Sequence, residues 1–211
     1  MAAGFLNIAT TRDVLEVQDE MGSAVMWGEL CDEPHVTEFS ASERAMIESR
    51  DSFYMATVSQ TGWPYIQHRG GPVGFLKVID ERTLAMADYR GNRQYITSGN
   101  LRGNMRACLF LMDYPSRTRL KIYVRVEVVS VDDDPELLAQ VAPNGYRAKV
   151  ERIYLLRLEA FDWNCPQHIT PRYTAAQVAE HYAKPMKEQI AALEQENSLL
   201  RAQLERRGES K

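Results

Sequence analysis

Two segments of this sequence combine residue types that could bind an anionic ligand. Residues 67–72 (Gln-His-Arg-Gly-Gly-Pro) end a strand-like run, and their two glycines let a backbone approach a flat ligand closely. Residues 88–94 (Asp-Tyr-Arg-Gly-Asn-Arg-Gln) form a polar loop before an expected helix. Arginine, backbone N–H groups and a helix start together make phosphate sites. A polar loop of this kind more often has no ligand, so the prediction of an anion site depends on both segments together.

The distribution of charge also favours a small anionic ligand. The chain has a formal net charge of −4, yet residues 90–125 contain eight basic residues against one acid. Arginine forks match phosphate geometry, although any single one of these could equally be a solvated surface residue. The acidic remainder argues against nucleic acid as a partner. The basic residues are Arg90, Arg93, Arg102, Arg106, Arg117, Arg119, Lys121 and Arg125.

Short strands joined by tight turns are expected to position these segments. Alternating and apolar runs predict strands over residues 53–59, 65–69, 75–79, 83–88, 105–112, 120–128 and 150–161. Tight turns favour antiparallel pairing, and a sheet of this size must close or stack to hide its edges. We therefore expect a small antiparallel barrel, with one short helix between residues 88 and 104 and another over residues 136–141.

Helices are expected before and after the barrel domain in the sequence. Residues 1–39 read as an N-terminal helix and loop, residues 40–172 as the barrel domain, and residues 173–211 as a C-terminal helix. Ser40 with Glu43 and Thr174 with Gln177 have capping-box spacing and predict two helix starts. Pro185 should interrupt or restart the second helix.

The C-terminal helix has a heptad pattern. Apolar residues and one asparagine recur with spacings of four and three, and the asparagine at an a position favours a two-stranded, in-register coiled coil. Glu196 and Arg201 could pair across a parallel dimer. The alternative is an amphipathic helix packed on its own barrel, because three heptads are the lower limit for a coiled coil. The repeating residues are Met186, Ile190, Leu193, Asn197, Leu200 and Leu204.

The order of these segments resembles the pyridoxamine 5′-phosphate oxidase-related family. The resemblance covers residues 40–172 and depends on residues 67–72, 88–93 and 99–104, the last being Gly-Asn-Leu-Arg-Gly-Asn before an apolar strand. It implies a mainly β fold, an antiparallel FMN-binding split barrel with flanking helices and a C-terminal helical tail. It also implies a homodimer whose interface contains both flavin sites.

The same resemblance implies the residues that would bind FMN. Asn100 and Asn104 would shape the flavin loop. Residues 164–172 (Asn-Cys-Pro-Gln-His-Ile-Thr-Pro-Arg) resemble a motif of one subgroup, from which Gln167 and Arg172 would approach the flavin near the dimer interface. The ring would be lined by Gln67, Arg69 and Gly70, and the ribityl phosphate would be held by Asn92, Arg93 and Gln94.

The C-terminal end departs from the true vitamin oxidase. The basic strand motif that grips the substrate phosphate in that enzyme is replaced here by residues 165–168 (Cys-Pro-Gln-His) and the helical tail. We therefore expect an FMN-dependent oxidoreductase with another small-molecule substrate, NADH or NADPH as candidate donor, and no identifiable catalytic residue. The alternative is a non-catalytic sensor or carrier that binds a flavin, a deazaflavin or haem.

Cysteine usage and hydropathy bear on the cellular compartment of the protein and on whether it binds a membrane or a metal. Three scattered cysteines do not make a disulfide framework, and no leader or membrane span is recognisable. We expect a cytoplasmic protein with no membrane partner. Cys165 with His168 and Cys31 with His35 could share zinc, but nothing brings the pairs together, so no metal is expected. His68 could be a general acid, although an ordinary strand residue is the favoured interpretation.

Overall fold

The computed structural model describes residues 3–31, 38–143, 145–163 and 166–208. The chain divides into two compact units, Met1–Ile169 and Thr170–Lys211. The first unit contains the sheet and six helices of the described residues, and the second is helical. None of the described helices is long and apolar enough to cross a membrane.

Seven strands form a single antiparallel sheet in the first unit. They are β1 (Ser52–Val58), β2 (Pro64–Gly70), β3 (Lys77–Val78), β4 (Thr83–Tyr89), β5 (Arg106–Asp113), β6 (Thr118–Val129) and β7 (Val150–Trp163). Their order is β2-β1-β5-β6-β7-β4-β3, and every neighbouring pair is antiparallel. The predicted mainly β split barrel with flanking helices is confirmed.

The strand predicted over residues 75–79 is only two residues long. A turn occupies the residues before it, closed by the Phe75 N–H donating to the Pro72 carbonyl at 2.9 Å. Gly74 has a φ of +73° there, and an added Cβ would lie 2.9 Å from the Glu48 carbonyl oxygen. The chain therefore needs glycine at this position and cannot start the strand earlier.

The core fills the inside of the barrel. Along β6 the side chains of Leu120, Ile122, Val124 and Val126 are buried while their neighbours are not, which confirms the predicted alternation. The nearly continuous apolar run from Met105 to Met112 predicts a buried strand, but β5 alternates in the same way, with Ala107, Leu109 and Leu111 buried. The other side chains of β5 lie on the outer face of the barrel, because the core packs against only one face of this strand.

Three helices precede the barrel where the sequence predicts one. They are α1 (Ala3–Ala9), α2 (Arg12–Glu20) and α3 (Ala24–Cys31). Gly22, with a φ of +68°, separates the last two because it follows α2 in a left-handed conformation. Phe5 of α1 stacks on Tyr123 with ring centroids 4.5 Å apart, so α1 packs on the outer face of the sheet.

Three more helices lie within the first unit. They are α4 (Ala41–Glu48), α5 (Ile96–Gly103) and α6 (Pro135–Val141). The capping box at the start of α4 is confirmed, with Ser40 as cap and Glu43 reaching back to its N–H at 2.9 Å. The short helices predicted between residues 88 and 104 and over residues 136–141 are α5 and α6.

The second unit consists of helical segments in series. α7 (Ala175–Val178) is followed by a π-helical segment, Ala179–Ala183, and by α8 (Lys184–Gly208). The capping box at Thr174 is confirmed, since Gln177 N–H donates to its hydroxyl at 3.2 Å. The expected interruption at Pro185 is also confirmed: the helix changes to π geometry just before this residue, which has no N–H to donate.

Candidate functional site

A small polar cavity lies between β2, β4, β7 and the loop that precedes α5. Its volume is about 50 Å³. Four of the residues predicted to bind the cofactor line it: Gln67 and Arg69 from β2, and Asn92 and Arg93 from the loop. The structure therefore brings together the two segments that the sequence analysis selected as an anion site.

The alternation of β2 decides which of its residues face the cavity. Gln67 and Arg69 are two residues apart and share one face of the strand. His68 and Gly70 lie on the opposite, exposed face, where the His68 ring meets Tyr54 edge-on at 5.7 Å between centroids. The structure thus places the side chain of His68, and Gly70, away from the cavity.

The side chain of Gln67 is fixed by a neighbour from α5. Its Oε1 accepts a hydrogen bond from the Thr97 hydroxyl at 3.0 Å. Thr97 is buried, and it also lines the cavity. Because this bond uses the amide oxygen of Gln67, the amide nitrogen is the group that can donate to a ligand.

The loop before α5 is folded by its own side chains. The Gln94 N–H donates to Asn92 Oδ1 at 3.1 Å, and Asn92 Nδ2 donates to Gln94 Oε1 at 3.2 Å. Arg93 and Tyr95 have φ values of +64° and +54°, which turn the chain sharply into α5. Gln94 is not one of the lining residues, so its observed contribution is to the shape of the loop.

A buried carboxylate organises the inner wall of the cavity. Asp88 accepts from Arg69 Nη1 at 2.6 Å and from the Tyr154 hydroxyl at 3.1 Å. Arg152 Nε lies 3.2 Å from the same carboxylate, and Arg152 Nη1 donates to the Ser98 hydroxyl at 3.0 Å. Ser98 in turn lies 2.7 Å from the Tyr154 hydroxyl. One acid therefore holds two guanidinium groups against the cavity.

Sequence reasoning did not select Arg152, Tyr154 or Ser98 as site residues. They lie 54 to 66 positions from their partners in this network. The register of β4 with β7, which pairs Asp88 with Arg152, brings them together. An alternating strand with a basic residue opposite an acid was the available signal, but register cannot be read from one sequence.

A second acid ties the loop to β7 at the rim of the cavity. Glu151 accepts from Arg90 Nε at 2.6 Å and from the Tyr95 hydroxyl at 3.3 Å. The hydrogen bond from Arg90 holds the pKa of Glu151 below its ordinary value. The Arg152 guanidinium stacks 5.0 Å from the centre of the Tyr95 ring. Glu151 therefore stays ionised and fixes the loop at neutral pH.

Two buried donors beside the cavity make no hydrogen bond to any described residue. They are the Nε of Arg69, which lines the cavity, and the Nε of Arg152, which lies 3.2 Å from the Asp88 carboxylate. The Tyr89 ring, in contrast, packs on the other face of β4 from Asp88, where it meets the Tyr146 ring edge-on with centroids 5.1 Å apart. Buried donors without a partner are costly. Together with Arg93 they suit a ligand rich in acceptor oxygens, such as a phosphate.

Asn100 and Asn104 lie behind the cavity, not in its wall. Asn100 is buried in α5 and donates from Nδ2 to the Thr57 hydroxyl at 3.0 Å. Asn104 ends α5, and its Oδ1 accepts from the Arg106 N–H at 3.1 Å. They attach α5 to β1 and β5 and so support the wall that carries Thr97.

The predicted C-terminal site residues are not among those that line the cavity. Gln167 is exposed in a turn of the first unit, and Arg172 belongs to the second unit. Cys165 and His35, which belong to the alternative zinc site, lie outside the described residues. Within the described ranges, no group of three or more histidine, cysteine, aspartate or glutamate side chains could hold a metal.

A larger cavity of about 300 Å³ lies on the outer face of the sheet under α1. Ile8, Val58, Cys108 and Tyr123 are among its lining residues, and its wall is mostly apolar. Burial raises the pKa of the Cys108 thiol, so Cys108 is a weak nucleophile at neutral pH. The cavity therefore offers mainly apolar packing surface.

Solved structures of similar fold are distant in sequence. A protein related to general stress protein 26, of the pyridoxinephosphate oxidase family, from Clostridium acetobutylicum is 13% identical, with a TM-score of 0.44 over 65% of this chain and 94% of that one. An FMN-binding protein from Syntrophomonas wolfei is 16% identical, with a TM-score of 0.39 over 72% and 97%. An FAD-binding protein from Mesorhizobium loti is 13% identical, with a TM-score of 0.40 over 59% and 94%.

The family model gives a more direct comparison. No curated protein matches this chain. The model described as pyridoxamine 5′-phosphate oxidase matches residues 39–161. This range includes β1 to β6, most of β7, and every residue that lines the polar cavity. Because the match spans more than half of the sequence, the chain belongs to the pyridoxamine 5′-phosphate oxidase family.

Proposed function

We propose that this protein binds FMN and acts as a flavin-dependent oxidoreductase on a small molecule. The observation that carries the proposal is the polar cavity, in which Arg69 has a buried donor with no partner among the described residues, beside the loop of Asn92 and Arg93. A phosphate monoester presents three acceptor oxygens to such donors. The cysteine usage favours a cytoplasmic location.

The dimensions of the cavity suit the terminal phosphate of FMN. A cavity of about 50 Å³ has room for a phosphate-sized group. In the proposal Arg93 neutralises the phosphate, and Gln67 donates to the polar edge of the flavin. The isoalloxazine ring then extends out of the cavity over the adjoining surface. A bound flavin supplies the electron or hydride transfer, and the protein orients the ring and tunes its charge.

The outer face of β1 and β2 supports a homodimer. Register places Tyr54, Val58 and Ile66 on this face, and Trp63 follows in the connecting turn. The exposed fractions are 63% for Ile66 and 76% for Trp63. Contiguous exposed apolar residues of this kind mark interaction surfaces. We propose that a second copy covers the face, and that Gln167 and Arg172 of one copy approach the flavin of the other.

The proposed chemistry does not depend on an acid or base in the cavity. Tyr154 has a pKa raised by burial, with the nearby Asp88 carboxylate adding to the effect, so it is a neutral donor. Asp88 is occupied by two arginines and a tyrosine. Transfer of a hydride from NADH or NADPH to a flavin requires neither group to exchange a proton.

The contribution of the phosphate is tested by comparing FMN with riboflavin. Charge-assisted hydrogen bonds contribute about 1.5–3 kcal/mol, so FMN should bind at least roughly tenfold more tightly than riboflavin. Equal affinities, measured by flavin fluorescence quenching, would contradict the assignment of the cavity to phosphate. Anaerobic mixing of the FMN complex with NADH or NADPH then tests the activity. Bleaching of the flavin supports the oxidoreductase, and a flavin that neither donor reduces favours the binding role.

A further inference from the structure

The C-terminal helix α8 has an apolar seam along its whole length. The seam residues are Met186, Ile190, Leu193, Asn197, Leu200 and Leu204. The exposed fractions of the five apolar members lie between 49% and 68%. All of them occupy one stripe, because spacings of four and three residues keep them on the same side of a helix.

An exposed helix of this kind needs a partner. α8 has 25 residues, and none of its described side chains is buried. In proteins most helical stability comes from packing of an amphipathic face, because intrinsic propensity is weak in water. The spacings within the seam alternate between four and three residues, which is the seven-residue repeat of a coiled coil.

We propose that the seam of α8 pairs with α8 of a second copy of this chain in a parallel, two-stranded coiled coil. With Ile190, Asn197 and Leu204 at a positions, Met186, Leu193 and Leu200 occupy d positions. The pairing is independent of the flavin function, because it uses only residues of α8, none of which is a proposed flavin contact.

Asn197 and the flanking charges specify the partner and its direction. A single asparagine at an a position pairs with itself in a parallel dimer and fixes the register. Glu196 is a g residue and Arg201 is the following e residue. A parallel pair places Glu196 of one copy beside Arg201 of the other, and symmetry repeats this attraction on the second side. The helix is therefore complementary to an identical helix in charge as well as in apolar pattern.

Disulfide trapping in the full-length protein tests this arrangement. Met186→Cys and Leu204→Cys each place a thiol at one end of the seam, 18 residues or about 27 Å apart along the helix. A disulfide requires Cα atoms within about 7 Å. In a parallel, in-register pair each new cysteine faces the same cysteine of the second chain. Both variants should therefore form a disulfide-linked dimer in a glutathione redox buffer.

Matched controls separate pairing from simple proximity. Glu188→Cys and Ala202→Cys lie two residues away at f positions, on the far side of the helix from the seam. We expect these variants, and the wild-type chain with its three native cysteines, to give at least tenfold less linked dimer. Adding Leu193→Glu to Met186→Cys should reduce its cross-linking to the control level while the circular dichroism of the barrel is unchanged.

Each contrary outcome overturns the proposal. An antiparallel pair would separate the ends and abolish both seam cross-links. A helix that packs on its own barrel would do the same. Equal cross-linking at seam and f positions would mean that two tails are near each other without specific contact.

Discussion

Arg69 donates from Nη1 to Oδ1 of Asp88 at 2.6 Å, and this bond joins opposite ends of the sheet. Arg69 lies on β2, Asp88 lies on β4, and four strands separate β2 from β4 in the sheet order. The side chains are 12% and 8% exposed, so the pair is largely removed from water. The split in the barrel is thus closed by an ion pair at the position where the polar cavity forms.

Replacing Asp88 should destabilise the fold more than replacing an exposed acid. Asp88→Asn leaves Arg69 and Arg152 without their shared counter-charge, which should lower the free energy of unfolding by about 2–4 kcal/mol. Glu127→Gln is the control, because Glu127 pairs with Arg157 at 3.7 Å where both side chains are 60% exposed. Its effect should stay within about 0.5 kcal/mol. Urea unfolding measures the free energy of unfolding of both variants. Equal losses would contradict the claim that Asp88 stabilises the fold through its two arginine partners.

Removing the charge of Arg93 should weaken FMN binding without disturbing the loop. Arg93 has a φ of +64°, so Arg93→Asn is the suitable change, since asparagine tolerates this conformation better than alanine. The expected loss is about 1.5–3 kcal/mol, or roughly tenfold to a hundredfold in Kd. Arg102→Asn, in the same basic segment but outside the cavity, is the control. An unchanged Kd for the Arg93 variant would exclude it from the phosphate site.

Glu43 should make folding stability depend on pH in the acid range. Burial alone would raise its pKa, but hydrogen bonds from Ser40 and Trp163 outweigh burial and hold the pKa of Glu43 below its ordinary value of 4.5. Trp163 Nε1 donates to Glu43 at 2.6 Å. Because the folded-state pKa is the lower one, this stabilisation is present above pH 4.5 and is lost as the pH falls through the folded value.

The variant Glu43→Gln measures this contribution. At pH 7 it should lose about 1.5–3 kcal/mol of stability, and the difference from wild type should shrink as the solution is acidified below the ordinary pKa. Glu136→Gln, on an exposed residue of α6, is the control. A difference between Glu43→Gln and wild type that is constant with pH would contradict the assigned ionisation.

The barrel and the tail should contribute separately to assembly. A chain ending at Lys184 keeps the entire first unit, so we expect it to remain a folded, flavin-binding dimer. Ile66→Glu in that shortened chain places a charge on the proposed interface and should give a monomer. Val128→Glu, on β6, is the control and should remain dimeric. Light scattering after size-exclusion chromatography measures the mass of each. A shortened chain that is already monomeric would mean that the helix supplies the main contact.

Local rules predicted the elements of this fold because their signals are local. The alternation along β6, the capping boxes at Ser40 and Thr174, and the break at Pro185 are each set by a few neighbouring residues. The N-terminal segment was less predictable, because the left-handed turn at Gly22 divides a region that reads as one helix.

The candidate site was predictable only in its local parts. Gln67 with Arg69 and Asn92 with Arg93 stand out by residue type, and the structure brings them into one cavity. The inner wall depends on the pairing of Asp88 with Arg152 on two strands that are neighbours in the sheet but far apart in the sequence, which one sequence does not reveal. The family resemblance implies that Gly70 lines the flavin ring together with Arg69, but the two-residue period of a strand places Gly70 on the other face of β2.

Titration of the purified protein with FMN, followed by visible absorption, tests the central claim most directly. The polar cavity should hold the phosphate, so the flavin bands should shift from those of free FMN and saturate near one FMN per chain. Inorganic phosphate in excess should reverse part of the shift by competing for the same donors. A folded protein that leaves the FMN spectrum unchanged through the titration would contradict the assignment of this site to a flavin.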